Sequence, residues 1–65
     1  MKPRKGDRVK VVSVQDRYGE RFVGRTGSVV YAFPRDYVVC LDGDEIWHSF
    51  YESELEVIEK EVNGL

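Results

Sequence analysis

Val23-Gly24-Arg25-Thr26-Gly27-Ser28-Val29-Val30 carries two glycines three positions apart and runs straight into β-branched residues. Glycine has no Cβ, so it accepts positive φ and lets a second backbone approach closely. A Gly-x-x-Gly ahead of a strand therefore predicts a sharp corner. Downstream of it, residues 28–33 read as a strand, with Val29 and Tyr31 on one face and Val30 and Ala32 on the other. Upstream, Arg8-Val9-Lys10-Val11 alternates charge and valine with period two, the pattern of a half-buried strand with Val9 and Val11 inward. Between the two, residues 15–22 are polar with a central Gly19 and read as a loop that Phe22 or Val23 closes against the core.

Beyond the corner, Pro34-Arg35-Asp36 predicts a hairpin turn, because proline presets φ and aspartate caps turns. Tyr37-Val38-Val39-Cys40-Leu41 is a third strand, and Asp42-Gly43-Asp44 signals a second hairpin that returns through residues 45–50 as a fourth. Tyr51-Glu52-Ser53-Glu54 reads as one 3₁₀ turn, followed by the short closing strand Leu55-Glu56-Val57-Ile58. Lys5-Gly6-Asp7 is a turn behind a basic tail at 1–4, and residues 59–65 form a charged C-terminal tail. Five short strands, two hairpins, one longer loop and a late 3₁₀ turn predict an all-β chain: a single, strongly bent, five-stranded antiparallel barrel.

Four stretches carry a resemblance: Lys5-Gly6-Asp7-Arg8-Val9-Lys10-Val11, Gly24-x-x-Gly27-x-Val29, Val39-x-Leu41-Asp42-Gly43 and Phe50-Tyr51-Glu52-Ser53-Glu54-Leu55-Glu56. Together they resemble the SH3-like small barrels, a group that includes the KOW domains of ribosomal and transcription proteins, the PsaE subunit of photosystem I and the variable chain of ferredoxin:thioredoxin reductase. The resemblance covers about residues 5–58 and implies a small accessory or binding module. The acidic-aromatic segment of signalling SH3 domains is missing, which argues against proline-rich peptide binding.

Composition narrows the function classes. A chain of 65 residues makes one domain. Its 42% hydrophobic content is too high for a disordered segment even with 34% charged residues. The lone Cys40 excludes an intramolecular disulfide framework and a thiolate zinc site, and with no long apolar run the expected setting is a reducing cytoplasm without membrane attachment. The net charge of −2 conceals an asymmetry: residues 1–35 hold nine Lys and Arg against three acids, and residues 36–65 hold one Lys against nine acids. Two outcomes follow from that split: the halves neutralise each other within one sheet, or the basic side attracts phosphate or an acidic partner.

The resemblance implies that Ile46 and Phe50 point inward, so alternation turns Trp47, Ser49 and Tyr51 outward. The same alternation sends Val30, Ala32, Val38 and Cys40 to the outer face. A barrel with apolar residues on both faces of its sheet predicts a protein partner or a homodimer, with Val30, Val38, Cys40, Trp47 and Tyr51 at the interface. The alternative is a KOW-like nucleic-acid binder in which Lys5, Arg8, Lys10, Arg17, Arg21 and Arg25 contact phosphates and Tyr18 stacks a base. A pI near 5.3 is low for a dedicated nucleic-acid binder. No catalytic constellation is present: His48 is the single histidine, Cys40 has no triad partners, and no metal, cofactor or small-molecule substrate is expected.

Overall fold

In a computed structural model, residues 2–60 are described. The chain is all-β, with five antiparallel strands in one sheet: β1 (Arg8–Val11), β2 (Thr26–Ala32), β3 (Asp36–Leu41), β4 (His48–Tyr51) and β5 (Leu55–Glu59), in the order β4-β3-β2-β1-β5. Two 3₁₀ segments interrupt it, Arg17–Phe22 after β1 and Glu52–Glu54 ahead of β5. No helix among the described residues is long and apolar enough to cross a membrane.

The period-two valines of β1 produce what they predict, since Val9 and Val11 are fully buried. They join Phe22, Val29, Tyr37, Val39, Leu41, Phe50 and Leu55 in one core, to which each strand contributes alternate residues. The Gly-x-x-Gly corner has two distinct causes. Gly24 takes φ 91°, a backbone conformation in which L side chains are strained, and nothing in space opposes a Cβ there. Gly27 sits between Val9 of β1 and Leu41 of β3, where a Cβ would lie 2.8 Å from the Leu41 Cα and closer still to the Cys40 carbonyl oxygen. One glycine turns the chain; the other lets three strands pass close together.

Four expectations change. The strand from 28 to 33 begins earlier, at Thr26, and carries a bulge: Val29 pairs with Val39 but Tyr31 pairs with Val38, so Val30 is the extra residue. Beyond the bulge the phase inverts. Tyr31 leaves the face of Val29 and lies on the outer one at 47% exposure, while Ala32 moves opposite the inward Tyr37. The polar loop is largely a 3₁₀ segment, because Asp16 Oδ1 accepts the Gly19 N–H at 3.1 Å and so caps it, and buried Phe22 ends it as expected. The Asp42-Gly43-Asp44 turn forms, with Asp44 N–H donating to Leu41 O at 3.0 Å, but β4 starts only at His48, and Ile46 is exposed. Strand pairing there is deferred because Asp44 is held by Arg25 at 3.1 Å, which keeps residues 42–47 in a wide loop.

Both ends extend past the expected core. Pro3 is buried and Arg4 N–H donates to Asp7 Oδ2 at 2.9 Å, while Glu59 belongs to β5. Most of the C-terminal tail, residues 61–65, lies outside the described residues.

Candidate docking face and the basic half

The bulge in β2 creates the most distinctive surface of the molecule. Because it turns Tyr31 outward, and Phe33 follows two residues later, both rings lie on the side of Trp47, the residue just ahead of β4. Ring centroids are 6.1 Å apart for Tyr31–Trp47, at 62°, and 6.1 Å for Tyr31–Phe33, at 35°. Those separations fall in the range of favourable tilted aromatic pairs. Each of the three side chains is nevertheless about half exposed. Lys5 adds its ammonium 5.6 Å from the centre of the Tyr31 ring, within cation–π range.

Of the residues read from sequence as an interface, Trp47 is in this cluster and Val38 adjoins it, opposite Tyr31 in the β2–β3 ladder. Val30, Val38 and Cys40 are half-buried, and Cys40 lies opposite Ser28, further along β3. Tyr51 is 49% exposed and pairs with Asp36, two positions further along β4 than Ser49, which faces Val38. Tyr31 and Phe33 were not among the expected residues. Their i, i+2 spacing signals a shared face, but which face depends on a bulge that no glycine or proline announces.

The basic candidates have different partners. Arg8 crosses the outer face of three strands: its Nη1 donates to Ser28 Oγ at 3.0 Å and Asp42 Oδ1 at 2.8 Å, and its Nη2 to Asp42 Oδ2 at 2.5 Å. This two-pronged pairing is the strong geometry for guanidinium and carboxylate. Thr26 Oγ1 donates to the same carboxylate at 2.9 Å. The bond from Arg8, joined by that from Thr26, pulls the Asp42 carboxyl down to about 2, and the same bond to Asp42 raises the Arg8 guanidinium above its ordinary value. Arg25 pairs with Asp44 at 3.1 Å and donates to Asp42 O at 3.0 Å. At these positions the opposite charges of the two halves meet across one sheet.

The remaining candidates sit elsewhere along the chain, with Arg21 and Arg25 lining one cleft. Lys10 is exposed and faces Glu56 across β1 and β5; Arg17, Tyr18 and Arg21 ride on the first 3₁₀ segment, with Tyr18 at 88% exposure and the Arg21 guanidinium 4.8 Å from the Phe22 ring centre. His48 packs its ring against Phe22, 4.5 Å between centroids, at the mouth of the core. It lies in the inward row, opposite Val39, whereas Cys40 follows in the outward row, so the two are not brought together. No group of three His, Cys, Asp or Glu able to hold a metal ion occurs among the described residues. Compared with known proteins, the chain matches no family model, no curated protein and no solved structure.

Proposed function

We propose that this chain is a non-enzymatic binding module that docks onto a larger protein or nucleoprotein assembly through the outer face around Trp47. The observation that carries the reading is the trio Tyr31, Phe33 and Trp47, in which the Tyr31 ring pairs with each of the other two and all three are left half in water. Aromatic side chains are the residues that contribute most at the centres of protein interfaces, where a neighbouring ring and a semi-buried floor hold them in place before binding. In this reading Val30, Val38, Cys40 and Tyr51 complete the interface. The resemblance to SH3-like accessory barrels points the same way, and the proposed setting is a reducing cytoplasm in which Cys40 stays a thiol. The nucleic-acid reading is less well supported, because Arg8 and Arg25 are already paired with Asp42 and Asp44.

The test is quantitative capture from cell extract by the immobilised chain, comparing Tyr31→Ala/Trp47→Ala with Arg17→Glu/Arg21→Glu at two salt concentrations. A protein retained by the wild type and the charge variant, lost with the aromatic variant and little affected by salt is the expected result. Retention that follows the charge variant and collapses with salt, or that survives loss of both rings, contradicts the reading.

A further inference from the structure

We infer that the free edge of β5 is a second binding site, one that accepts an extended basic peptide as a sixth strand. This surface lies at the opposite end of the strand order from β4 and the Trp47 face, so it stands or falls independently of the reading above.

Among the described residues, β5 pairs with β1 alone. The direction of its backbone groups follows from β1. Val11 N–H donates to Arg25 O at 2.9 Å and Val11 O accepts from Gly24 at 2.7 Å, so Val11 bonds toward β2, whereas Val12 N–H donates to Glu54 O at 2.8 Å, toward β5. Alternation along antiparallel strands then directs the polar groups of Lys10 and Glu56 at each other and those of Val57 outward, to the free side. Leu55, which faces the same way, has already given its N–H to Glu52 O. Val57 is therefore the point at which an added strand would begin its ladder. A cleft of about 440 Å³ runs along this edge, lined by β5 throughout and otherwise only by Val12 and Lys60. Val12 and Ile58 are 41% and 48% exposed beside it, so the edge offers apolar contact as well as hydrogen bonds. Addition of a strand to such an edge takes affinity from the main chain and selectivity from alternate side chains.

The occupant is argued from the edge that is already filled. On its bonded side β5 takes Arg8-Val9-Lys10-Val11, setting Val9 against Val57, Val11 against Leu55 and Lys10 against Glu56. A basic residue beside Glu56 and an aliphatic one beside Val57 is thus the pairing this strand demonstrably accepts. The strand itself carries two glutamates and no cation. A second copy of β5 running antiparallel about Val57 would bring four carboxylates onto one two-stranded seam, which like-charge repulsion opposes. A peptide alternating Lys or Arg with Val matches both rows.

The probe is the capped peptide Lys-Val-Arg-Val-Lys-Val-Arg, titrated into the full chain while backbone amide shifts and amide hydrogen exchange are recorded. Shifts centred on residues 55–59 with slowed exchange at Val57 are expected. The same peptide N-methylated at every second residue, in the phase that removes the inward hydrogen bonds, loses affinity by at least about tenfold, and Glu56→Gln weakens binding by a smaller factor. The proposal is overturned by equal binding of both N-methylation phases, by shifts confined to the Tyr31–Trp47 face, by no binding at millimolar peptide, or by a salt-insensitive dimer in which Val57 is already protected.

Discussion

At the residue scale, two carboxylates do structural work of different kinds. Asp42 is exposed and draws its effect from geometry, gathering Arg8, Thr26 and the Arg25 side chain around a single turn. Its carboxyl titrates at about 2 in the folded chain against an ordinary 3.8. The stability that goes with this shift is fully present above pH 3.8 and is lost as pH falls through about 2. Asp42→Asn should flatten that part of the acid limb in a series of urea unfolding curves; an unchanged slope between pH 4 and 2 would mean the pairing with Arg8 does not persist in solution. Glu54 is buried, and its two oxygens accept the Tyr51 N–H at 2.7 Å and the Gln15 N–H at 3.0 Å, tying the second 3₁₀ segment to the chain leaving β1. Glutamine offers only one acceptor oxygen and would turn an N–H toward a donor. Glu54→Gln should therefore cost about 1–3 kcal/mol, read as a lower urea midpoint at unchanged slope.

At the scale of elements, the sequence is most legible where one local rule decides the outcome. β1 follows from strict alternation, β5 and the 3₁₀ turn before it from their spacing, and the corner from two glycines. The two glycines separate in mutation. Gly27→Ala should cost about 1–3 kcal/mol because the added methyl meets backbone on the neighbouring strand. Gly24→Ala should cost about 1–2 kcal/mol from φ alone, and Gly24→Asn less, since asparagine tolerates the left-handed region. Thermal melts of the three variants check the order; equal loss with Gly24→Asn and Gly24→Ala would remove the conformational explanation. The sequence is silent where two elements negotiate. The bulge at Val30 arises because β2 must follow β1 at one end and β3 at the other, a demand written in the sheet and in no single residue. That is why the inward face assigned to Tyr31 inverts and why Phe33 escapes notice. The late start of β4 has the same origin, since Ile46 and Trp47 alternate well enough with Phe50 but the loop is held by Arg25 and Asp44.

At the scale of the whole molecule, one core, with nine buried apolar residues among those described, supports everything else. A domain of this length has only about 3–10 kcal/mol of stability, and deleting a buried leucine costs about 2–5 kcal/mol. Leu41→Ala should consequently leave much of the chain unfolded near body temperature by circular dichroism. Trp47→Ala, at a half-exposed position, should change the melting temperature little while abolishing docking. The two faces of the sheet thus separate by role: one holds the fold, and the other is the docking surface in the function proposed above. Trp47 is the single tryptophan, which makes its emission a direct report on that outer face. The decisive measurement is acrylamide quenching of Trp47 emission with solution mass recorded on the same samples. The monomer should show a water-exposed, readily quenched indole that becomes shielded only on association, whether with a partner or a second copy. A monomer whose Trp47 is already shielded and blue-shifted would place the ring in the interior and remove the docking face.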